Sequence, residues 1–394
     1  MRRDRLHQAR ALRPWKPDLD RVPHLTVETN FTCNAACRSC YNLDRHTVKD
    51  LGQIKEEIDR GLELRRADAV TLLGGEPTLH PDLPAIVRHV ASKGITCQVL
   101  TNGRRLLDPD GHHLLDELRR AGLARLLLHV DEGQPHVHGR PLDMAQRLLQ
   151  ICEPHDILCS LSWTVYRGGA ATLPSIVRTL ARYRHFDGLL LLLEKNCDVA
   201  IEPGHAADGP VMEDVYEALW SRLSLEPSTY LPTSLDDRDV SWLFFFYYVN
   251  ALTGRTFAIS PQLTRAFQAL FRWTTGREVF GQTPARRRFV LSLIVTLGIE
   301  LLRAPWRLPQ AWRLLRRSRR GTRLRFHYIV AQDGPSFDEE HGAVRICYHC
   351  PDATIRQGRL TPVCLADRVR PLAEARPRSA FSLSLMEAID GHLS

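Results

Sequence analysis

The chain has 394 residues, 44% hydrophobic and 25% charged, with a net charge of +8 from 53 basic and 45 acidic residues. This excludes a collagen-like, a wholly disordered and a polytopic membrane protein, and the length suits two or three domains around a core that needs no disulfide staples. The positive balance suits anionic partners: nucleic acid, a phosphate-bearing substrate or an acidic membrane surface.

Residues 1–23 read as a basic leader. The start, MRRDRLHQARALRPW, has no long apolar run, so a cytoplasmic chain is expected, peripheral at most on the inner face of a membrane. Ten cysteines are too sparse for a disulfide scaffold, and in a reducing compartment clustered cysteines mean metal or catalysis. Six of them fall in two tight groups, one near each end of the chain.

Short apolar runs at 25–30, 69–73, 95–100, 124–130, 157–165 and 188–193 read as strands. Helical patterns near 51–66, 82–92, 111–121, 141–152 and 172–184 lie between them. This alternation predicts a parallel sheet with helices outside it, and six strands suit a partial barrel, a (β/α)6 unit, better than a closed eight-fold one. In such α/β folds ligands sit at the carboxyl ends of the strands. The alternation stops at a polar link, 198–210. Residues 205–330 read as a mostly helical insertion. Aromatics crowd 242–248 (WLFFFYY), a surface contact or a greasy substrate pocket. A 14-residue, mostly apolar stretch spans 289–302, and from 284 to 325 twelve Arg stand against one acid, Glu300. The stretch is too short to span a bilayer. A helical cap, an interfacial helix on an anionic membrane and a polyanion-binding surface over 313–325 all fit this segment.

Cys33, Cys37 and Cys40 form C-x3-C-x2-C on the loop after the first strand. Small neighbours (Asn34, Ala35, Ala36, Ser39) let the loop wrap so that three thiolates converge, as ligands of an iron–sulfur cluster do. A zinc site completed by His46, or three reduced thiols, are the alternatives. Near the other end, Cys347, Cys350 and Cys364 read C-x2-C-x13-C. A hairpin signal between them, ATIR–Gln357–Gly358–RLTPV, returns Cys364 to the first two. A zinc site completed by His341 or His349 is the alternative there. Cys97, Cys152 and Cys159 sit on apolar elements and read as core.

With GGEP (Gly74, Gly75, Glu76, Pro77) at the end of the second strand, Thr101-Asn102-Gly103 after the third and HVDEGQPHVHGR after the fourth, residues 24–200 resemble the radical SAM superfamily. The resemblance implies a 4Fe-4S cluster on Cys33, Cys37 and Cys40, with S-adenosylmethionine chelated to the iron that carries no thiolate. It implies that Gly74 and Gly75 admit the methionine amino group, that Glu76 accepts from that ammonium or fixes the turn and that Pro77 stiffens it. Asn102 and Asp131 would contact the ligand's carboxylate or ribose. A low-potential donor such as ferredoxin or flavodoxin would reduce the cluster, cleaving the sulfonium to a 5′-deoxyadenosyl radical that abstracts hydrogen from substrate. Ser39 and His129 depart from the common pattern. Residues 340–394 resemble the auxiliary-cluster extension called a twitch domain, related to SPASM extensions, which implies a second 4Fe-4S cluster on Cys347, Cys350 and Cys364 with Cys197 as a possible distant ligand. Three functions remain open: a radical SAM enzyme for a hydrophobic or lipid-linked substrate, a peptide-modifying maturase, and a non-catalytic zinc or iron–sulfur protein that binds nucleic acid.

Overall fold

The computed structural model of the chain describes residues 12–135, 139–204, 209–278, 289–315, 324–370, 386–387 and 389–391. Six parallel strands, β1 (His24–Asn30), β2 (Ala69–Gly74), β3 (Thr96–Thr101), β4 (Leu123–His129), β5 (Leu158–Val165) and β6 (Phe186–Leu193), pair in sequence order. Helices α1 (Leu51–Leu64), α2 (Leu83–Ser92), α3 (Gly111–Ala121), α4 (Pro141–Cys152) and α5 (Leu173–Leu180) connect them. This is the partial (β/α)6 arrangement expected. Its strands are apolar because helices cover one face and the interior the other.

Local signals explain the boundaries. The Asp50 carboxylate accepts from the Gln53 N–H and starts α1. Ile54, Ile58 and Gly61 then recur on its inner face. At Gly61 a Cβ would lie 2.3 Å from Leu25 Cδ2, so glycine lets α1 settle against β1. Gly122 ends α3 in the left-handed region at φ 106°. Cys97, Cys152 and Cys159 are buried in the main core, as expected.

The 205–330 segment adds strands to the helices expected of it. It has helices α6 (Met212–Leu223), α7 (Pro261–Thr275), α8 (Phe289–Arg303) and α9 (Leu308–Leu315), but also strands β7 (Thr229–Pro232), β8 (Val240–Asn250) and β9 (Thr256–Ala258). With β10 (Leu324–Gln332) they extend the sheet in the order β6-β10-β8-β7, β9 pairing with β8. β10 runs parallel to β6 and antiparallel to β8. The aromatic run 242–248 is therefore a buried strand, not a surface contact. Burial on both faces is what such an unalternating run supports. Of residues 12–23, expected within a leader, Pro14 and Trp15 pack on the outer edge of β7: the Trp15 N–H donates to Tyr230 O at 2.7 Å, and the Trp15 ring meets Phe244 edge-on at 5.8 Å. No helix among the described residues is long and apolar enough to cross a membrane.

After β10 come two small antiparallel pairs: β11 (Ser336–Asp338) with β12 (Ala343–Arg345), and β13 (Ala353–Arg356) with β14 (Arg359–Pro362). The second is the expected hairpin, turning through Gln357 (φ 52°) and Gly358 (φ 73°). It packs against β1, and Arg356 forms a two-pronged ion pair with Glu28 (2.8 and 3.0 Å) while also reaching Asp367 at 2.9 Å.

Candidate active site

The loop after β1 is tied down at both ends. The Phe31 N–H donates to Thr47 O (2.7 Å), and Asn42 Nδ2 donates to Gly74 O (2.6 Å). Inside it, the Ala35 N–H donates to Cys33 Sγ at 3.4 Å, and the Arg38 N–H reaches Gly133 O after β4. Burial pushes the Cys33 thiol up, and burial with the neighbouring Cys40 and Asp131 pushes Cys37 up to about 12.

The end of β1 and the residues after it crowd the GGEP turn so closely that only glycine fits at its first two positions. A Cβ on Gly74 would lie 2.0 Å from Asn30 O, and one on Gly75 2.2 Å from Thr32 O. Glu76 is buried and occupied. Oε1 accepts from the Thr78 N–H, Thr78 Oγ1 and Thr101 Oγ1, and Oε2 accepts from the Asn102 N–H at 2.8 Å. It thus joins the ends of β2 and β3. Pro77 begins the short turn Pro77–Leu79. Asn102 Nδ2 donates to Asn34 Oδ1 (2.8 Å) and lies 3.9 Å from Cys33 Sγ, bracing the cysteine loop.

Asp131 is almost fully enclosed. It accepts from the Gly133 N–H at 2.8 Å and the Thr164 N–H at 3.3 Å, and lies 3.3 Å from His129 Nε2. His129 Nδ1 in turn lies 3.2 Å from Ser162 Oγ, and burial lowers the His129 pKa below the usual histidine value. Asp131 does not line the cavity described below; His129 and Ser162 do.

The second trio rests on the sheet extension. The Tyr348 N–H donates to Pro232 O, and the Ser234 N–H to Ile346 O. Cys347 Sγ accepts from Ser241 Oγ (3.0 Å) and Trp242 Nε1 (3.2 Å). With a further hydrogen bond from Cys350, which is the largest effect, these donors lower the Cys347 pKa. Burial holds Cys364 up, and Cys197 and Cys347 lie near enough to act on it. Arg65, buried behind Cys350, donates to the carbonyls of His349, Pro351 and His24.

Both trios open on one cavity of about 300 Å³ at the carboxyl ends of the strands. Cys33, Cys37, Cys40, Cys347, Cys350 and Cys364 line it, as do Gly74, Gly75, Glu76, Asn102 and Cys197. His46, His341 and His349 are not in its wall.

Residues 27–153 match the radical SAM superfamily. Within the region of that match lie the first trio, GGEP and Asn102. Over 78 residues, 20% of this chain, the protein is 40% identical to the S-adenosylmethionine-dependent nucleotide dehydratase of Selenomonas ruminantium, covering 28% of that relative. Over 123 residues, 29% of this chain, it is 33% identical to the PqqA peptide cyclase of Xanthomonas axonopodis pv. citri, covering 31% of it. The chain thus matches less than a third of the length of either relative. The crystal structure of Streptococcus suis SuiB bound to S-adenosylmethionine is 14% identical at a TM-score of 0.35, covering 48% of this chain and 43% of that one.

Sequence reasoning missed the cavity floor. There Arg125 pairs with Asp187 at 2.8 Å and reaches Tyr328 Oη at 2.9 Å. Gly188 makes room, since a Cβ there would lie 2.6 Å from the Tyr328 ring. The signals were an Arg inside one apolar strand run and an Asp at the head of another. Ser241 and Trp242 were missed as donors because nothing near them in sequence points to Cys347.

Proposed function

We propose that the chain is a radical SAM enzyme in which Cys33, Cys37 and Cys40 hold a 4Fe-4S cluster and S-adenosylmethionine binds beside it. The observation that carries this reading is the opening of the trio, with Gly74, Gly75 and Asn102, on the cavity at the strand ends. The donor set fits such a cluster. Three thiols from one short loop line the cavity beside Gly74 and Gly75, and thiolates are the donors that hold iron–sulfur clusters. A reduced cluster held by Cys33, Cys37 and Cys40, with S-adenosylmethionine beside it, would supply a 5′-deoxyadenosyl radical able to take hydrogen from substrate.

The chain's own residues do the rest. Glu76 fixes the turn, Asn102 holds the cysteine loop and Asp131 orients His129 toward the cavity with Ser162. Leu73, Leu100, Leu127, Leu190 and Val330 give the cavity an apolar wall that excludes water. That wall supports a hydrophobic substrate or the apolar part of a lipid-linked one. A peptide substrate is the second reading, supported by the likeness to the PqqA peptide cyclase.

Residues 24–200 would form the radical SAM core, 205–330 an insertion and 340–394 a twitch-like extension. The second trio would hold an auxiliary 4Fe-4S cluster, with Cys197 beside Cys364 as a further thiol. A low-potential ferredoxin or flavodoxin would supply electrons in a cytoplasmic setting. Anaerobic reconstitution with iron, sulfide and dithionite tests the reading. Two clusters correspond to about eight irons per chain, and 5′-deoxyadenosine should be released. Cys37→Ala should lose roughly half the iron and all of the release. Protein that takes up zinc in place of iron and leaves the sulfonium intact would overturn it in favour of a non-catalytic metal protein.

A further inference from the structure

Helices α7, α8 and α9 turn apolar side chains away from the protein. On α7 the usual order is reversed. Thr264 and Gln268 are buried beside Leu263, whereas Phe267, Leu270 and Trp273 are exposed, Trp273 by 82%. The hydrophobic effect in water favours the opposite.

α8 and α9 are fastened to the sheet by Leu297, Leu301, Ala311 and Leu314, which pack with Tyr248 and Phe257. The buried Glu300 accepts from the Ser260 N–H and pairs with Arg307, whose guanidinium lies 4.2 Å above the Phe257 ring. Outward from this anchor point Leu302 on α8, Trp306 between the helices and Trp312 on α9, exposed by 87%, 77% and 68%. α8 contacts both α7 and the turn Pro305–Arg307, which leads into α9. Ten of the sixteen large exposed hydrophobic side chains among the described residues lie on this stretch, which makes it a patch rather than scatter.

Its charge is one-sided. Arg265, Arg272, Arg303 and Arg313 are exposed there, while the acids of 261–278 and 289–315, Glu278 and Glu300, are both buried. Exposed tryptophans within an Arg rim, with no accessible carboxylate, match an anionic bilayer interface, where indole rings settle at headgroup depth and cations meet lipid phosphates. We propose that this face docks the protein onto an anionic lipid surface, with α8 lying along the surface rather than through it. The inference stands whether or not the chain cleaves S-adenosylmethionine.

The full chain is tested by co-sedimentation with phosphatidylcholine vesicles, with and without phosphatidylglycerol. Binding should need phosphatidylglycerol and weaken with salt, and brominated lipid should quench tryptophan emission. The triple variant Trp273→Ala/Trp306→Ala/Trp312→Ala should bind at least about tenfold more weakly with an unchanged far-ultraviolet circular dichroism spectrum. If that variant misfolds, Arg303→Gln/Arg313→Gln serves instead and should remove the salt-dependent part of binding. Wild-type protein that stays off anionic vesicles at low salt overturns the proposal. So does a wild-type dimer that the Arg or Trp changes dissolve, which would make the face a contact between two copies.

Discussion

Glu76 shows how a carboxylate inside a ligand motif can be occupied by its own fold. Its four hydrogen bonds come from Thr78, Thr101 and Asn102, and burial raises its pKa above the usual carboxylate value. A Glu76→Gln change would turn one acceptor into a donor facing other donors. It should lower the stability of ligand-free protein by about 1–3 kcal/mol, read from urea denaturation. A carboxylate kept only for a ligand's ammonium would leave ligand-free stability unchanged. The cysteine spacings and the GGEP turn were legible because they are local. Glu76's bonds to Thr101 and Asn102 were not, because they depend on β2 pairing with β3. Asp131 lies behind His129, where it accepts from the Gly133 N–H and shapes a turn.

At the scale of elements, β10 joins the parallel half of the sheet to the antiparallel half. Its His327 is fully enclosed, edge-on to the rings of Phe186 (5.2 Å) and Tyr247 (5.9 Å). Burial, helped by the charge of Arg325, lowers its pKa from 6.5 to about 3. The unfolded chain therefore binds the extra proton between those values, and stability falls as pH falls through that window. His327→Phe should flatten this acid limb, retaining about 2 kcal/mol or more relative to wild type near pH 4; a pH series of denaturation midpoints checks it. The six parallel strands were readable as apolar runs of strand length divided by helical periods. β8 was not, since no helical period sets its run off on either side and its partner β10 lies beyond three helices in sequence.

Across the whole molecule, the C-terminal extension is built into the core. Ala353, Ile355 and Leu360 belong to the same buried cluster as Leu25 and Val27, and Arg356 bridges Glu28 and Asp367. Asp367 also accepts from the Leu43 N–H, so the hairpin clamps the first cysteine loop. Arg356→Met would strand two buried carboxylates and should cost about 3–5 kcal/mol, measured by chemical denaturation. Adding Glu28→Gln should restore part of that loss. The two cysteine groups were visible as separate spacings, but nothing in the sequence showed that they face the same cavity.

The rim of the sheet has a further consequence. Among the described residues no strand follows β7; Trp15 and then the stretch carrying Cys347 complete its margin. A selvedge of this kind leaves little edge for a stray strand to join. It also makes the sulfur's position a matter of registration. One residue gained or lost in the bend between Pro232 and Val240 would shift the thread by a pleat, about 3.3 Å, and turn alternate side chains to the opposite face. Length variation should thus be tolerated poorly in that bend, although it lies on the outside of the molecule.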